Sequence, residues 1–309
     1  MKKCIIIMNS QSNKVKKLKS KEDFYDILRK YDYDCEIKYT KKAKDAIKIV
    51  EELPDDISLV ISAGGDGTLN ETVTGNMKRK KQLVLANLPM GTTNDVGHMY
   101  GLSKNCLKNL ELILSGKIKH VDICYINDNP FVYVACLGDY IDMTYNTTRA
   151  EKQKYGRLAY VIHGIKELKN EINNYDVRYK IGDGEYQTGN YSFFFITNSS
   201  RIAGLDDVYY DIKLNDKMFE VAFVPVSTKA KMLKLLIQLN NEGIKNVPGI
   251  TYYQTDRLEI EFLNKPKVSW CIDGEEFKTD TNKFIFKIDT NSKMLLPREN
   301  IPRLFKKEK

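Results

Sequence analysis

Apolar and polar positions alternate in a regular order over the first third of the chain. Short apolar runs bounded by polar residues predict strands at 4–8, 36–39, 59–62 and 83–88. Apolar positions with helical spacing lie between and after them, at 24–28, 43–53 and 107–114. Strands that alternate with helices through short links predict a doubly wound parallel α/β sheet, whose ligands bind beyond the carboxyl ends of its strands.

The pattern changes after Lys119. Apolar or aromatic runs separated by turn residues follow at 121–125, 131–137, 177–181, 191–197, 219–224, 258–262, 268–272 and 284–288. Two helices are predicted among them, at 157–168 and 228–239. We therefore expect an α/β nucleotide-binding domain over 1–120 and a β-rich, sandwich-like domain over 121–290. A tail over 291–309 is expected to pack back on the first domain.

Composition excludes several classes of protein. With 42% hydrophobic and 29% charged residues in 309, the chain is not globally disordered and is long enough for two domains. The net charge of +8 favours an anionic partner. No apolar run approaches the roughly 20 residues that span a bilayer, and the apolar start is too short for a signal peptide, so we expect a cytoplasmic protein. Six scattered cysteines and three distant histidines argue against a disulfide framework and a zinc site.

The strongest chemical signal is a glycine-rich loop directly after the predicted strand 59–62. Its sequence is Gly64-Gly65-Asp66-Gly67-Thr68, and a helix follows. Glycines expose backbone N–H groups, and a helix N-terminus adds a positive dipole end, so phosphate oxygens fit there. Asp66 would repel phosphate directly, which indicates a bridging Mg²⁺ or an acid–base task. The alternative is a strand–turn–helix joint that uses glycines for geometry alone.

A second loop of this kind follows the next strand. Residues 83–88 lead into Pro89-Met90-Gly91-Thr92-Thr93-Asn94-Asp95, which again offers a glycine and small polar side chains. Two polar glycine loops on adjacent parallel strands would make one rim of nucleotide size. The chain contains neither a G-x-x-x-x-G-K-[ST] loop nor a G-x-G-x-x-G fingerprint.

These two loops, in this order, resemble the diacylglycerol kinase catalytic-domain family, and more narrowly its soluble bacterial lipid kinases. The resemblance continues through Gly138, the segment 145–164 and the stretch Ile272-Asp273-Gly274-Glu275. It thus covers nearly the whole chain. The family has Asn-Pro-x-Ser-Gly near the first strand, whereas this chain keeps only Asn9 and Ser12 of that motif.

The resemblance implies an ATP site and a set of catalytic carboxylates. The implied nucleotide-binding residues are Asn9, Ser12, Thr40, Gly64, Gly65, Asp66, Gly67, Thr68, Gly91, Thr92 and Asn94, with Glu71 and Asp95 in a supporting role. Asp273 and Glu275 correspond to the carboxylates that deprotonate the lipid hydroxyl in bacterial members, whereas sphingosine kinases give that role to the residue matching Asp66. The alternative for Asp273-Gly274 is an ordinary β-turn.

The resemblance also implies a structural Mg²⁺ near residues 213–218. Asp216 is kept, and the main-chain carbonyls of Lys213 and Met218 would complete the ligands. The family's loop glycine is replaced by Lys217 and a neighbouring acid by Asn215. One carboxylate can suffice for Mg²⁺. Asp216 as a simple turn residue is the equally weighted alternative.

The expected function is therefore an ATP- and Mg²⁺-dependent lipid kinase that phosphorylates diacylglycerol or a similar lipid at an anionic membrane surface, giving phosphatidic acid. The first alternative is an NAD kinase, which shares the G-G-D-G motif; Leu69-Asn70-Glu71 and the G-T-T-N-D loop favour the lipid kinase. A basic nucleotide- or nucleic-acid-binding module ranks last, and no nucleic-acid partner is expected. Whether the chain forms a homodimer is left open.

Overall fold

The computed structural model describes residues 1–12, 15, 21–139, 172–201, 212–242 and 244–307. The chain divides into two compact units. Unit 1 comprises Met1–Ile123, Lys213–Asp216 and Asp289–Lys309, and unit 2 comprises Cys124–Ile212 and Lys217–Ile288. The sequence predicts boundaries after residues 120 and 290, and it gives no signal that residues 213–216 belong with unit 1. The predicted helix 157–168 lies outside the described residues.

The described residues contain sixteen strands and seven α-helices. The strands are β1 (Lys2–Asn9), β2 (Tyr33–Thr40), β3 (Ile57–Gly64), β4 (Val84–Pro89), β5 (Lys117–Ile126), β6 (Asn129–Phe131), β7 (Val134–Gly138), β8 (Tyr175–Ile181), β9 (Gln187–Tyr191), β10 (Phe193–Thr197), β11 (Phe219–Val224), β12 (Thr251–Thr255), β13 (Arg257–Phe262), β14 (Trp270–Ile272), β15 (Glu275–Phe277) and β16 (Lys283–Leu296). The α-helices are α1 (Glu22–Lys30), α2 (Asp45–Glu51), α3 (Asp66–Met77), α4 (Asp95–Met99), α5 (Cys106–Leu114), α6 (Lys229–Glu242) and α7 (Ile301–Leu304), and a 3₁₀ turn covers Ile244–Asn246.

Unit 1 is built on a parallel sheet. Its strand order is β2-β1-β3-β4, and the end of β16 extends it in parallel with β4. The centres of β1 and β3 are apolar throughout and buried, as expected for parallel strands covered on both faces. Helix α2 packs with α3 and helix α1 with α5. The predicted doubly wound fold is confirmed, and β3 and β4 are neighbours as their loops required.

Unit 2 is a sandwich of two antiparallel sheets. One has the order β12-β11-β10-β7-β14-β15, and the other contains β9, β8, β13 and the first part of β16. Phe194 of β10 contacts Phe262 of β13 with ring centroids 5.1 Å apart, and Trp270 of β14 lies 5.2 Å from Phe286 of β16. Alternate residues of both sheets thus meet in one aromatic core, which confirms the predicted β-rich second domain.

Two strand predictions were wrong in detail. The run 131–137 is not one strand, because the chain leaves β6 at Phe131 and enters the other sheet at Val134. The run 191–197 breaks at Ser192, whose hydroxyl donates to the carbonyl of Val224 and accepts from the N–H of Val226. Strands β9, β12 and β15 were not predicted, because each is short and partly polar.

Candidate active site

The two glycine loops of unit 1 touch through their backbones. The N–H groups of Met90 and Gly91 both donate to the carbonyl of Gly64, at 2.7 and 2.9 Å. A Cβ on Gly91 would lie 2.5 Å from the Cα of Gly65, which is closer than real Cβ contacts. Gly91 is therefore required by the approach of the second loop to the first.

Asn94 holds the second loop in shape. Its side-chain Oδ1 accepts from the N–H of Gly91 and its Nδ2 donates to the carbonyl of Gly91, both at 2.8 Å. Its backbone has φ +54°, a left-handed conformation that asparagine tolerates better than most residues. The predicted site residue Asn94 is buried and closes the loop on itself, rather than presenting its amide to solvent.

Asp66 joins the two loops. Its Oδ2 accepts from the N–H of Asp95 at 2.9 Å, and its Oδ1 accepts from the N–H of Val96 at 3.2 Å. The carboxylate of the first loop thus caps the N-terminus of α4, where a negative charge also complements the helix dipole. In this geometry Asp66 positions the second loop against the first.

Residues at and just after the end of β1 connect to both loops. The side-chain Nδ2 of Asn9 donates to the Oγ1 of Thr68 at 3.2 Å, and the hydroxyl of Ser12 donates to the carbonyl of Met90. The carbonyl of Thr40, at the end of β2, accepts from the hydroxyl of Ser10 at 2.6 Å. The structure therefore brings the predicted residues Asn9 and Ser12 to the glycine loops, even though the family's Pro and Gly are missing here, whereas Thr40 contacts Ser10 at the end of β1.

Glu71, which the resemblance places in support of the nucleotide site, contacts the start of helix α2. Its Oε1 accepts from the N–H of Lys44 at 2.8 Å, and its Oε2 accepts from the N–H of Ala46 at 3.2 Å. Lys44 has φ +68° and lies at the N-terminus of α2. Glu71 reaches across from α3 and caps α2, so in this structure it supports the fold beside the loops.

The solvent-facing part of this arrangement suits phosphate. Gly65 and Gly67 are partly exposed, Thr92 is exposed, and Gly65 is the extended residue that begins α3. Backbone N–H groups at the start of a twelve-residue helix, together with its positive dipole end, are typical donors to phosphate oxygens. The residues present therefore fit a nucleoside triphosphate, whose phosphates would be bound mainly by backbone N–H groups.

Asp273 and Gly274 form a tight hairpin turn in unit 2. Ile272 pairs with Glu275 across it, and both central residues have positive φ, +50° and +89°. The Asp-Gly sequence satisfies this turn geometry. Asp273 and Gly274 therefore form a β-turn, and the stretch that resembles the family's motif lies on this same turn.

The carboxylate of Asp273 is buried within unit 2. It accepts from the N–H groups of Val132, Tyr133 and Val134 at 2.7, 3.0 and 3.1 Å. An ionised carboxylate offers about four acceptor positions, so most of its capacity is used. These bonds hold the chain where it passes from β6 to β7, which explains the strand break there. Glu275, two residues later, is exposed.

Two groups near Asp273 were not found from the sequence. The hydroxyl of Thr197 and the N–H of Asn198 both donate to the carbonyl of Tyr133, whose own N–H binds Asp273. The available signal was the polar run Thr197–Arg201, which begins at the last residue of the strand β10. All five residues of this run are buried.

Two buried thiols lie on neighbouring strands beside this turn. Cys136 of β7 pairs in register with Cys271 of β14. A hydrogen bond with the Cys271 thiol, and then burial, raises the pKa of Cys136. A thiol with a raised pKa stays protonated and is a poor nucleophile, so we assign this pair to packing.

The implied Mg²⁺ residues fall in both units. Asp216 and Lys213 belong to unit 1 and Met218 to unit 2. The side chain of Asp216 is 3% exposed, and its Oδ2 lies 3.6 Å from the Nζ of Lys306. Within the described ranges, no three His, Cys, Asp or Glu side chains come together as metal ligands. One buried carboxylate is compatible with a Mg²⁺ ligand, but it already has a cationic partner.

Other predicted features can be placed only in part. Gly138 lies in β7 with φ +159°, whereas the segment 145–164 lies outside the described residues. No helix within the described part of the chain is long and apolar enough to cross a membrane.

Comparison with known proteins gives diacylglycerol kinases among the sequence relatives of this chain. The family model of the diacylglycerol kinase catalytic domain matches residues 3–126. A diacylglycerol kinase from Staphylococcus carnosus (strain TM300) is 30% identical over 250 residues, which cover 80% of this chain and 80% of that protein. A diacylglycerol kinase from Bacillus subtilis (strain 168) is 28% identical over 282 residues, covering 89% and 90%.

Solved structures agree in fold. A crystal structure of a diacylglycerol kinase from Bacillus anthracis str. Sterne matches with a TM-score of 0.75 at 22% identity, covering 96% of this chain and 97% of that one. An NAD kinase from Archaeoglobus fulgidus in complex with ATP matches with a TM-score of 0.53 at 12% identity, covering 96% and 94%. At these identities the likeness shows a common fold and nothing finer.

Proposed function

The chain belongs to the diacylglycerol kinase family and is a kinase, and on that premise we propose that it transfers the γ-phosphate of ATP to the primary hydroxyl of diacylglycerol or a similar lipid. The product would be phosphatidic acid. The observation that carries this proposal is the direct backbone contact between the Gly64–Gly67 loop and Gly91 at the carboxyl ends of β3 and β4. NAD phosphorylation is less well supported, since only the shared G-G-D-G motif and the fold favour it.

Binding of the nucleotide in the proposed reaction depends on a rigid backbone in the two glycine loops. Phosphoryl transfer requires mainly positioning and charge neutralisation. Asp66 and Asn94 fix the two loops by hydrogen bonds within unit 1, so that the donors near Gly65 and Gly67 are held before nucleotide arrives. When bound, Mg²⁺ would neutralise charge on the transferring phosphate.

At the acceptor end we assign the base to Glu275 and a positioning role to Asp273. A base must reach the hydroxyl proton, and Glu275 is exposed whereas Asp273 is 3% exposed and accepts three backbone N–H bonds. Asp273 would set the turn that carries Glu275. A positioned carboxylate base contributes about 10²–10⁴-fold to rate.

The experiment is a transfer assay with γ-labelled ATP and a panel of acceptors in mixed micelles. Diacylglycerol, monoacylglycerol, ceramide, sphingosine and soluble NAD are compared with and without MgCl₂. We expect labelled phosphatidic acid in the presence of MgCl₂. The proposal would be overturned if no lipid alcohol became labelled. If NAD alone became labelled, the protein would be an NAD kinase instead.

Two conservative variants separate the acceptor roles. Glu275→Gln should lower kcat by about 10²-fold or more without changing the melting temperature or the affinity for ATP. Asp273→Asn should lower both activity and melting temperature, because an amide N–H₂ group then faces a backbone donor. If Glu275→Gln keeps most of its rate while Asp273→Asn folds normally and is inactive, the two roles are reversed.

The protein would bind its lipid substrate at an anionic membrane surface. The net charge of +8 supports peripheral binding, because each basic residue close to such a surface contributes about 1 kcal/mol. Sedimentation with vesicles containing anionic phospholipid should exceed that with neutral vesicles and should fall as salt is added. Equal binding to both vesicle types would remove this part of the proposal.

A further inference from the structure

Unit 2 contains a cavity of about 350 Å³ where two segments of the chain cross between its sheets. Segment 263–269 crosses from β13 to β14, and segment 278–282 crosses back from β15 to β16; residues of both line the cavity. The cavity lies at the base of the hairpin β14–β15, where Trp270 pairs with Phe277, whereas the Asp273–Gly274 turn is at the other end of that hairpin. It is therefore separate from the acceptor site proposed above.

Backbone pairs hold both ends of the two crossing segments. The N–H of Phe262 donates to the carbonyl of Asn282 at 2.9 Å, and the Nδ2 of Asn282 donates to the carbonyl of Phe262 at 2.9 Å. At the opposite ends of the segments, Trp270 and Phe277 are register partners. Each segment is thus tethered where it begins and where it ends, which preorganises the cavity for a ligand.

The floor of the cavity is part of the aromatic core of unit 2. Its buried lining residues Leu137, Trp270 and Phe284 are 0%, 1% and 2% exposed. The ring centroids of Trp270 and Phe284 lie 5.5 Å apart. Because this floor is apolar and packed, the polar and charged groups that recognise a ligand must come from the two crossing segments.

The crossing segments give the cavity an excess of positive charge. Its lining includes one acid, Asp280, and three lysines, Lys265, Lys267 and Lys278. Asp280 pairs with Lys265 at 2.9 Å, and Lys278 pairs with Glu276 at 3.3 Å. Lys267 has no carboxylate partner among the residues that the structure describes. Surface pairs of this kind contribute little to stability, so an anionic ligand can take the place of either carboxylate.

We propose that this cavity, named here the lysine cavity, binds a phosphate monoester. Three ammonium groups and one carboxylate give its lining a net charge of +2. A phosphate monoester carries a charge of about −1.5 to −2 at pH 7 and matches it, whereas a phosphodiester carries a single negative charge. Two sources share this chemistry, a soluble phosphate monoester and a lipid headgroup of the phosphatidic acid class. The site does not rest on the proposed function, because binding requires no phosphoryl transfer.

The test uses Trp270, the single tryptophan of the chain, as a probe of the lysine cavity. The indole N–H resonance of the ¹⁵N-labelled full chain is followed by NMR during titration with glycerol 3-phosphate. We expect a saturable shift, and no shift with glycerol. Lys267→Met should weaken binding by about 10-fold or more, because it removes a charged donor, and Lys267→Arg should restore most of the affinity. Lys234→Met, the control on an exposed lysine of α6 outside the cavity, should leave the Kd unchanged.

Vesicles distinguish the two sources of the phosphate. Phosphatidylcholine vesicles that contain phosphatidic acid are compared in a sedimentation assay with vesicles that contain phosphatidylglycerol at the same surface charge. A lipid headgroup as ligand predicts a preference for phosphatidic acid that Lys267→Met loses, and a soluble ligand predicts equal sedimentation with a saturable glycerol 3-phosphate titration.

The proposal is overturned if neither glycerol 3-phosphate nor phosphatidic acid gives a response that Lys267→Met weakens more than Lys234→Met does. Melting temperatures of the variants confirm that each is folded. Neither readout involves ATP or phosphoryl transfer, so this result cannot be confused with failure of the kinase activity.

Discussion

Replacing Gly91 by alanine tests the contact between the two glycine loops. The new Cβ would lie 2.5 Å from the Cα of Gly65 and 3.0 Å from its N, against an ordinary carbon–carbon separation of about 3.5–4.0 Å. The loops would have to separate by about 1 Å, which stretches the two bonds from Met90 and Gly91 to the Gly64 carbonyl beyond hydrogen-bond length. Overpacking costs about 1–3 kcal/mol and each lost bond about 0.5–1.5 kcal/mol.

The matched control is alanine at Gly65. Its Cβ would lie 3.5 Å from the Cα of Gly91, an ordinary contact, and Gly65 has φ −91°, which alanine adopts without strain. We expect Gly91→Ala to melt at least about 4 °C below the natural chain and to lose ATP binding. Gly65→Ala should melt close to the natural chain, so that any loss of ATP affinity reflects an obstructed phosphate site. Melting is followed by circular dichroism and ATP affinity by calorimetry. A Gly91→Ala protein that melts and binds ATP like the natural chain would refute the contact.

Three further predictions follow from the hydrogen bonds and the buried groups. Glu71→Ala should lower the free energy of unfolding by about 1–2 kcal/mol in a thermal melt, because it removes the cap of α2, and Glu71→Gln should restore part of it. Asp273→Ala should reduce stability more than Glu275→Ala in the same melt, since it leaves three backbone N–H groups without their acceptor; equal melting would argue against the anchoring role. Cys136 and Cys271 are both buried, and the pKa of the Cys136 thiol is raised, so iodoacetamide should label neither thiol in the folded protein while labelling both in urea; rapid native labelling at neutral pH would contradict this.

Local patterns were sufficient to predict the frame of unit 1. The strands β1 to β4 were predicted from apolar runs, and their order along the chain led to the parallel sheet in which β3 and β4 are neighbours. The loops at Gly64 and Gly91 were found for the same reason, since a glycine cluster after a buried strand is a local signal. The strands and glycine loops of unit 1 were therefore predictable, because each is indicated by residues that are neighbours in the sequence.

Interactions between distant residues could not be predicted in this way. Asp66 and Glu71 cap helices whose bonded N–H groups lie 29 and 27 residues away in the chain, whereas capping rules link a side chain only to the helix start next to it. The three bonds of Asp273 to Val132–Val134 join residues far apart in the chain, and they also break the run 131–137 that apolar pattern alone predicts as one strand. The pairing of Lys306 with Asp216 is of the same kind.

We propose that the adjacent glycine loops of unit 1 hold the phosphates of ATP. This is tested by titrating the protein, labelled with ¹⁵N at glycine, with MgATP and following its amide resonances by NMR. We expect saturable shifts of the Gly65 and Gly67 amides, no comparable shift at Gly184 of unit 2, and loss of those shifts in Gly91→Ala. Saturable binding that leaves the Gly65 and Gly67 resonances unmoved would contradict it.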